Sequence, residues 1–188
     1  MKKDDKFILF LKDTMKTIVI YFVAIVLITQ FVVRPFRVEG ESMLPTIRDS
    51  EMGFSNILGV TFGGINRFDV VIVYIEASNK YLVKRVVGLP NETVEYRNDK
   101  LYIDGEEVEE SFLDIAYVAS MTDDHNTFFT TDFGPVVLGE DQYFLMGDNR
   151  VRSSDSRVYG PFDKSQIKSK NGFVFFPLNR IRFLGGDS

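Results

Sequence analysis

The sequence predicts a mainly β fold, in which one N-terminal transmembrane helix is followed by a β-rich domain. Three observations predict it. Thr17 to Val33 carries no charged residue. After residue 34, short runs of β-branched and aromatic residues recur between turn residues, the spacing of a sandwich or barrel. No helical period persists beyond residue 34, and no internal repeat is present.

The apolar segment reads TIVIYFVAIVLITQFVV, 17 residues from Thr17 to Val33. That is roughly 26 Å of helix, slightly less than a ~30 Å hydrocarbon core. Lys16 and Arg34 flank it and can snorkel across the shortfall. Pro35 ends the helix, because the residue before a proline disfavours helical geometry. A buried core helix would show a polar stripe, and this segment has none. A cleaved signal peptide would carry a small-x-small site, but Arg34-Pro35-Phe36-Arg37-Val38 follows. The expected division is therefore a cytoplasmic segment 1–16, an anchor 17–34 and an extracytoplasmic domain 35–188. Five lysines precede the span against two arginines directly after it, which places the N-terminus in the cytoplasm.

Within the outer domain, Phe68 to Ile75 and Tyr81 to Val87 read as strands. Val94 to Tyr96 and Lys100 to Ile103 flank a hairpin turn at Arg97-Asn98-Asp99, and a second turn follows at Asp104-Gly105. Tyr143 to Met146 and Gly172 to Phe176 are further strands. Residues 111–135 are irregular, with Asp123-Asp124-His125-Asn126 as an exposed loop; insertions rather than chemistry are expected there.

Composition narrows the chemistry. The chain has 188 residues, 45% apolar and 26% charged, which excludes a disordered or fibrous protein. Residues 34–188 hold 17 basic and 24 acidic side chains, a balance that argues against nucleic acid as a partner. There is no cysteine, so disulfides, thiol catalysis and cysteine metal sites are excluded together. The single histidine, His125, is too few for a histidine zinc site.

Three stretches remain as candidates. In Glu39-Gly40-Glu41-Ser42-Met43-Leu44-Pro45-Thr46, Gly40 permits unusual backbone angles and Pro45 restricts its neighbour, so Ser42 can be presented on a fixed turn. Serines in Gly/Pro turns are common, and the turn alone does not make a nucleophile. In Leu82-Val83-Lys84-Arg85-Val86-Val87-Gly88, both faces are apolar apart from Lys84 and Arg85. A lysine desolvated there has a lowered pKa and can take a proton from a serine; a strand end whose lysine reaches solvent is the alternative. Gly147 to Gly160 (GDNRVRSSDSRVYG) is a dense polar loop, either a solvated turn or a support that orients a site through hydroxyls and Asp–Arg pairs.

Taken together and in this order after a membrane span, SMLPT, KRVVGLP and GDNRxxSxDSRxxG resemble the bacterial type I signal peptidases, in their Gram-positive-like single-anchor form. The resemblance covers the chain from the anchor to about Gly160. It implies a barrel-like β catalytic core, with Ser42 as nucleophile and Lys84 as general base. It implies that Ser153 bonds and orients the lysine, and that Asp155 and Arg157 form an ion pair beneath the site. Gly40 stands where Gram-negative members carry an oxyanion-stabilising serine, which leaves the Ser42 backbone N–H as the expected donor. Phe68 and Asn91-Glu92 also depart from the familiar pattern. The implied substrates are preprotein signal peptides, and the implied surroundings are membrane lipid. No cofactor and no metal are implied. Small-residue specificity implies shallow pockets lined by residues around Val38 to Met43 and Val70 to Lys84. Phe54 to Phe62 is unusually apolar and is expected either to dip into the bilayer interface or to pack in the core. A self-cleaving Ser/Lys repressor would need a DNA-binding domain where the anchor stands, and an inactive relative would be expected to lose the serine or the lysine. A sortase-type transpeptidase is excluded by the absent cysteine.

Overall fold

A computed structural model describes residues 3–122 and 128–185. Helix α1 (Lys3–Phe31) runs directly into strand β1 (Val33–Arg37). It begins well before the uncharged segment, and its stretch Lys6–Phe31, 26 residues, is long and apolar enough to cross a membrane. That length, about 39 Å, exceeds a hydrocarbon core and leaves room for tilt. None of the span is buried against the protein. Its end also differs from the expectation, because the chain is already extended at Val33. Pro35 explains this: it suits an edge strand, where a missing N–H breaks no ladder, and β1 is an edge.

The elements that follow are β2 (Met52–Asn56), α2 (Ile57–Phe62), β3 (Val70–Ile75), β4 (Lys80–Gly88), β5 (Thr93–Arg97), β6 (Lys100–Ile103) and β7 (Glu106–Val108). After them come α3 (Ile115–Met121), β8 (Phe133–Val137), β9 (Gln142–Met146), α4 (Ser156–Tyr159), β10 (Phe162–Asp163), β11 (Ile167–Phe176) and β12 (Arg182–Leu184). The larger sheet has the order β1-β2-β11-β3-β4-β9-β10, with β12 also on β11. The smaller has the order β7-β6-β5-β8. The fold is β-rich as expected, but among the described residues the sheets do not close into a barrel, since β1 and β10 each lack a second neighbour.

The β5–β6 hairpin turns at Asn98 and Asp99, both left-handed, with Arg97 opposite Lys100. A two-residue turn of this hand matches the twist of the strands it joins. The strand expected from Phe68 begins only at Val70, because Phe68 itself has φ 68°. β11 is longer than expected and bends at a bulge beside Gly172. A Cβ at Gly172 would overlap the Phe54 carbonyl oxygen of β2, so only glycine allows the strands to approach there.

Among the described residues, three short α-helices, α2, α3 and α4, interrupt the region after residue 34, where no helix is expected. α3 lies in the irregular stretch, capped by the Asp114 carboxylate on the Tyr117 N–H. The loop expected at Asp123 to Asn126 lies outside the described residues. The core has three clusters, two of which flank β4 and β9. Val71, Val73, Val86, Leu145 and Ile167 fill one, and Val87, Val94, Tyr96, Phe144 and Met146 join the smaller sheet to the larger. A third cluster, Val38, Met43, Ile47 and Val174, anchors the connection between β1 and β2.

Candidate active site

That connection carries Ser42. Met43 and Ile47 are fully buried, and the Ile47 N–H bonds the Met43 carbonyl at 2.8 Å to close one helical turn. The Val38 N–H bonds Glu51 O and the Ser50 N–H bonds Val38 O, both at 2.9 Å, and these bonds tie the loop's ends together. Gly40 has φ 92° and its N–H donates to Asp49 Oδ1 at 2.7 Å. That bond occupies the Gly40 donor. The Ser42 N–H donates to no described residue and stays free for a ligand.

Lys84 lies on β4 with only 2% of its surface exposed. Its Nζ donates to Ser42 Oγ at 2.8 Å. Burial lowers its pKa from 10.5 to about 8; the Asp155 and Asp148 carboxylates pull it back up, and Arg157 pushes it further down. A group with that value is partly uncharged near neutrality, as a general base requires. Both residues line a groove of about 500 Å³ with Val38, Met43, Leu82 and Val83. Arg37, Glu39 and Lys80 add charge to it. Of the expected lining, Val38, Glu39, Ser42 and Met43 take part from the first stretch, and from Val70 to Lys84 only residues 79–84. A larger cavity, about 720 Å³ and lined by Thr46, Phe112 and Arg182, contains neither Ser42 nor Lys84.

The loop from Gly147 to Gly160 packs beneath these two. The Asn149 N–H bonds the Ser42 carbonyl at 3.1 Å, and Asn149 Nδ2 bonds the Glu41 carbonyl at 3.1 Å. Asp155 is fully buried and caps α4. Arg157 Nε and Nη2 each donate to it at 2.9 Å, and the Gly147 N–H at 3.0 Å. Burial alone would raise the Asp155 pKa, but the Arg157 hydrogen bonds and charge, with the Gly147 N–H, outweigh it and hold the carboxyl below its ordinary value. Ser153 Oγ is buried but does not bond Lys84, so the expected contact is not formed here. Its hydroxyl lies against Gly147, beside the Ser42 carbonyl, since a Cβ at Gly147 would overlap both Ser153 Oγ and the Ser42 carbonyl oxygen. Among the described residues no cluster of three or more acidic or histidine side chains is placed to hold a metal.

Sequence reasoning assigned no role to several supports. Arg85, next to Lys84, donates to Asp148 Oδ1 at 2.8 Å and Oδ2 at 2.7 Å, and to the Phe68 carbonyl at 2.8 Å. Thr46 Oγ1 bonds the same carboxylate, tying the serine turn to the loop. The GDNR run was the available signal, but it does not say which arginine Asp148 meets. Asp148→Ala leaves the Arg85 guanidinium buried without its partner. It is expected to cost about 3–5 kcal/mol of stability, read by thermal unfolding.

Comparison with known proteins gives the chain a family. The family described as "Signal peptidase, peptidase S26" matches residues 11–176. Signal peptidase I of Bacillus amyloliquefaciens is 43% identical over 171 residues, 90% of each chain. Signal peptidase I S of Bacillus subtilis is 42% identical over 168 residues, 89% of this chain and 90% of that one. A crystal structure of a signal peptidase I from Enterococcus faecalis, 34% identical, superposes with a TM-score of 0.50 over 56% of this chain and 95% of that one. The chain belongs to the signal peptidase family, peptidase S26, and so to the serine peptidases.

Proposed function

We propose that this chain is a membrane-bound serine endopeptidase that cleaves N-terminal signal peptides from exported preproteins through a Ser42/Lys84 dyad and an acyl-enzyme. The observation that carries the reading is the 2.8 Å contact between Ser42 Oγ and a lysine Nζ removed from solvent. With the amine neutral, that contact passes the hydroxyl proton to nitrogen as Ser42 Oγ attacks the scissile carbonyl carbon. The free Ser42 N–H faces the developing oxyanion, an interaction worth about 10²–10³ in rate. Collapse breaks the C–N bond, and the Lys84 ammonium gives its proton to the leaving amine of the mature protein. The signal peptide stays as an ester on Ser42. Water then attacks the ester while Lys84 takes its proton, which returns to Ser42 Oγ as the peptide leaves.

An acylating serine-directed inhibitor tests the dyad. Peptide mass mapping is expected to find the adduct on Ser42; an adduct elsewhere, or none, overturns the reading. We place residues 1–16 in the cytoplasm, the anchor in the bilayer and the catalytic domain outside, on the strength of the lysine asymmetry.

The path of the chain supports a membrane-level site. The Ile57 N–H bonds the Val32 carbonyl at 3.0 Å, so α2 is fastened to the end of the anchor helix. α2 buries none of its side chains fully, and Phe62 is 82% exposed and Leu58 38%. This favours the interfacial reading of Phe54 to Phe62 over core packing. In a chain beginning at Val33, Ile57→Asn and Leu58→Asn are expected to lower partitioning onto vesicles of anionic and zwitterionic phospholipid. Unchanged partitioning in a sedimentation assay refutes it.

A further inference from the structure

Arg150 is fully enclosed, its side chain 0% exposed. Its Nε donates to the Gly147 carbonyl at 3.1 Å, gripping the residue that packs on the Ser42 carbonyl and the Ser153 hydroxyl. The rest of its guanidinium points into the smaller sheet. Nη1 donates to Tyr96 Oη at 2.7 Å, Glu110 Oε2 at 3.1 Å and Thr130 Oγ1 at 3.3 Å, and Nη2 donates to Glu110 Oε1. Tyr96 Oη in turn donates to Glu110 Oε1 at 2.6 Å. Glu110 belongs to the connection between β7 and α3, and its side chain is 6% exposed. Two residues on, the Phe112 ring lies 4.1 Å from the guanidinium of Arg85, the neighbour of Lys84. The short connection after β7 therefore touches both Arg85, which holds Asp148, and Arg150, which holds Gly147.

We propose that Glu110 is a positioning residue for the cleavage reaction, its carboxylate holding Arg150, and through it Gly147 and the Ser42 backbone, in register with Lys84. A guanidinium this deeply buried needs a fixed carboxylate, because unpaired it would draw toward water and carry the loop with it. Burial disfavours the Arg150 charge, but Glu110 and Tyr96 outweigh burial and keep the group protonated. Misplacement of a reacting group by about 1 Å can cost 10²-fold in rate, so a support remote from substrate affects kcat rather than substrate affinity.

The inference rests on Ser42 and Lys84 acting as proposed, so the wild type is first labelled with the serine-directed inhibitor. Failure there counts against the dyad; a labelled wild type with an unimpaired Glu110→Gln counts against Glu110. In the full-length chain, Glu110→Gln is expected to lower kcat for preprotein cleavage at least about tenfold and to change KM less than about threefold. Glu110→Leu with Arg150→Met removes both charges, so folding should recover, by circular dichroism and melting temperature, while kcat stays low because Gly147 has lost its donor. A purely structural role predicts that folding and kcat recover together, and that result overturns the proposal. If Glu110→Gln does not fold, the double variant decides. If neither folds, Tyr96→Phe, which deletes only the hydroxyl between the charges, decides by the same division between kcat and KM, an unchanged kcat refuting the proposal.

Discussion

Ser42→Ala, Lys84→Ala and Lys84→Arg are each expected to reduce preprotein cleavage by at least about 10⁴-fold while the domain stays folded, because residues that act as one catalytic unit each cost nearly the whole effect. Ser42→Ala removes the oxygen that forms the ester. Lys84→Ala removes the base that lies 2.8 Å from it. The arginine variant is the sharper case: a guanidinium keeps a charge of similar reach, but it stays protonated at every accessible pH and cannot accept the serine proton. A charge-only role for Lys84 would survive that change, and a base role would not. Lys100→Ala serves as the control. Its ion pair with Glu107 is more than half exposed, and its loss should leave both activity and stability near wild type. Cleavage by any of the three dyad variants within tenfold of wild type, measured on a purified preprotein, would refute the assignment.

The parts of this site that the sequence made legible share a physical cause. Lys84 and Arg85 stand out because each interrupts an apolar strand, and a charge in such a run needs a partner. Ser42 stands out because glycine and proline fix the backbone around it. The β5–β6 hairpin is readable because Asn98 and Asp99 tolerate the left-handed turn their strands demand. What was not legible depends on contacts distant in sequence. β2 reads MGFSN, a weak strand by propensity; it forms because β1 and β11 pair with it on both sides. Gly53 is part of the reason, since a Cβ there would overlap the Phe173 carbonyl and the Phe36 ring. Helix α1 hides its first turns because lysines and aspartates break the apolar run without breaking the helix. Glu110 is one acid among several in EEVEE, and nothing in that string marks the one that reaches Arg150, 40 residues away.

The second large effect concerns proton binding at Lys84, and it joins activity to stability. Its pKa in the folded protein, about 8, lies below the 10.5 of a free lysine, chiefly through burial. Below pH 8 the amine is increasingly protonated and unable to accept from Ser42. The pH profile of kcat/KM should therefore rise to half its plateau near pH 8. At pH 6 it should be about 100-fold lower, since each pH unit costs about tenfold. Asp155 and Asp148 raise this value, whereas Arg157 lowers it. Asp155→Asn should thus move the rising limb to lower pH, and a shift to higher pH would contradict the electrostatics. The stability sign follows from the same numbers. The folded state binds the Lys84 proton less tightly than the unfolded state does. Between about pH 8 and 10.5 the unfolded chain holds more protons, so stability rises with pH across that window. Below pH 8 both states are protonated and the full cost, about 3 kcal/mol, persists. Lys84→Met fills the same volume without a charge. At pH 7 it should stabilise the fold by about 2–3 kcal/mol and raise the melting temperature by roughly 5–10 °C while cleavage is lost. A Lys84→Met protein that melts at or below the wild-type temperature would mean that the lysine is not held desolvated, and a base that keeps its water cannot work at neutral pH.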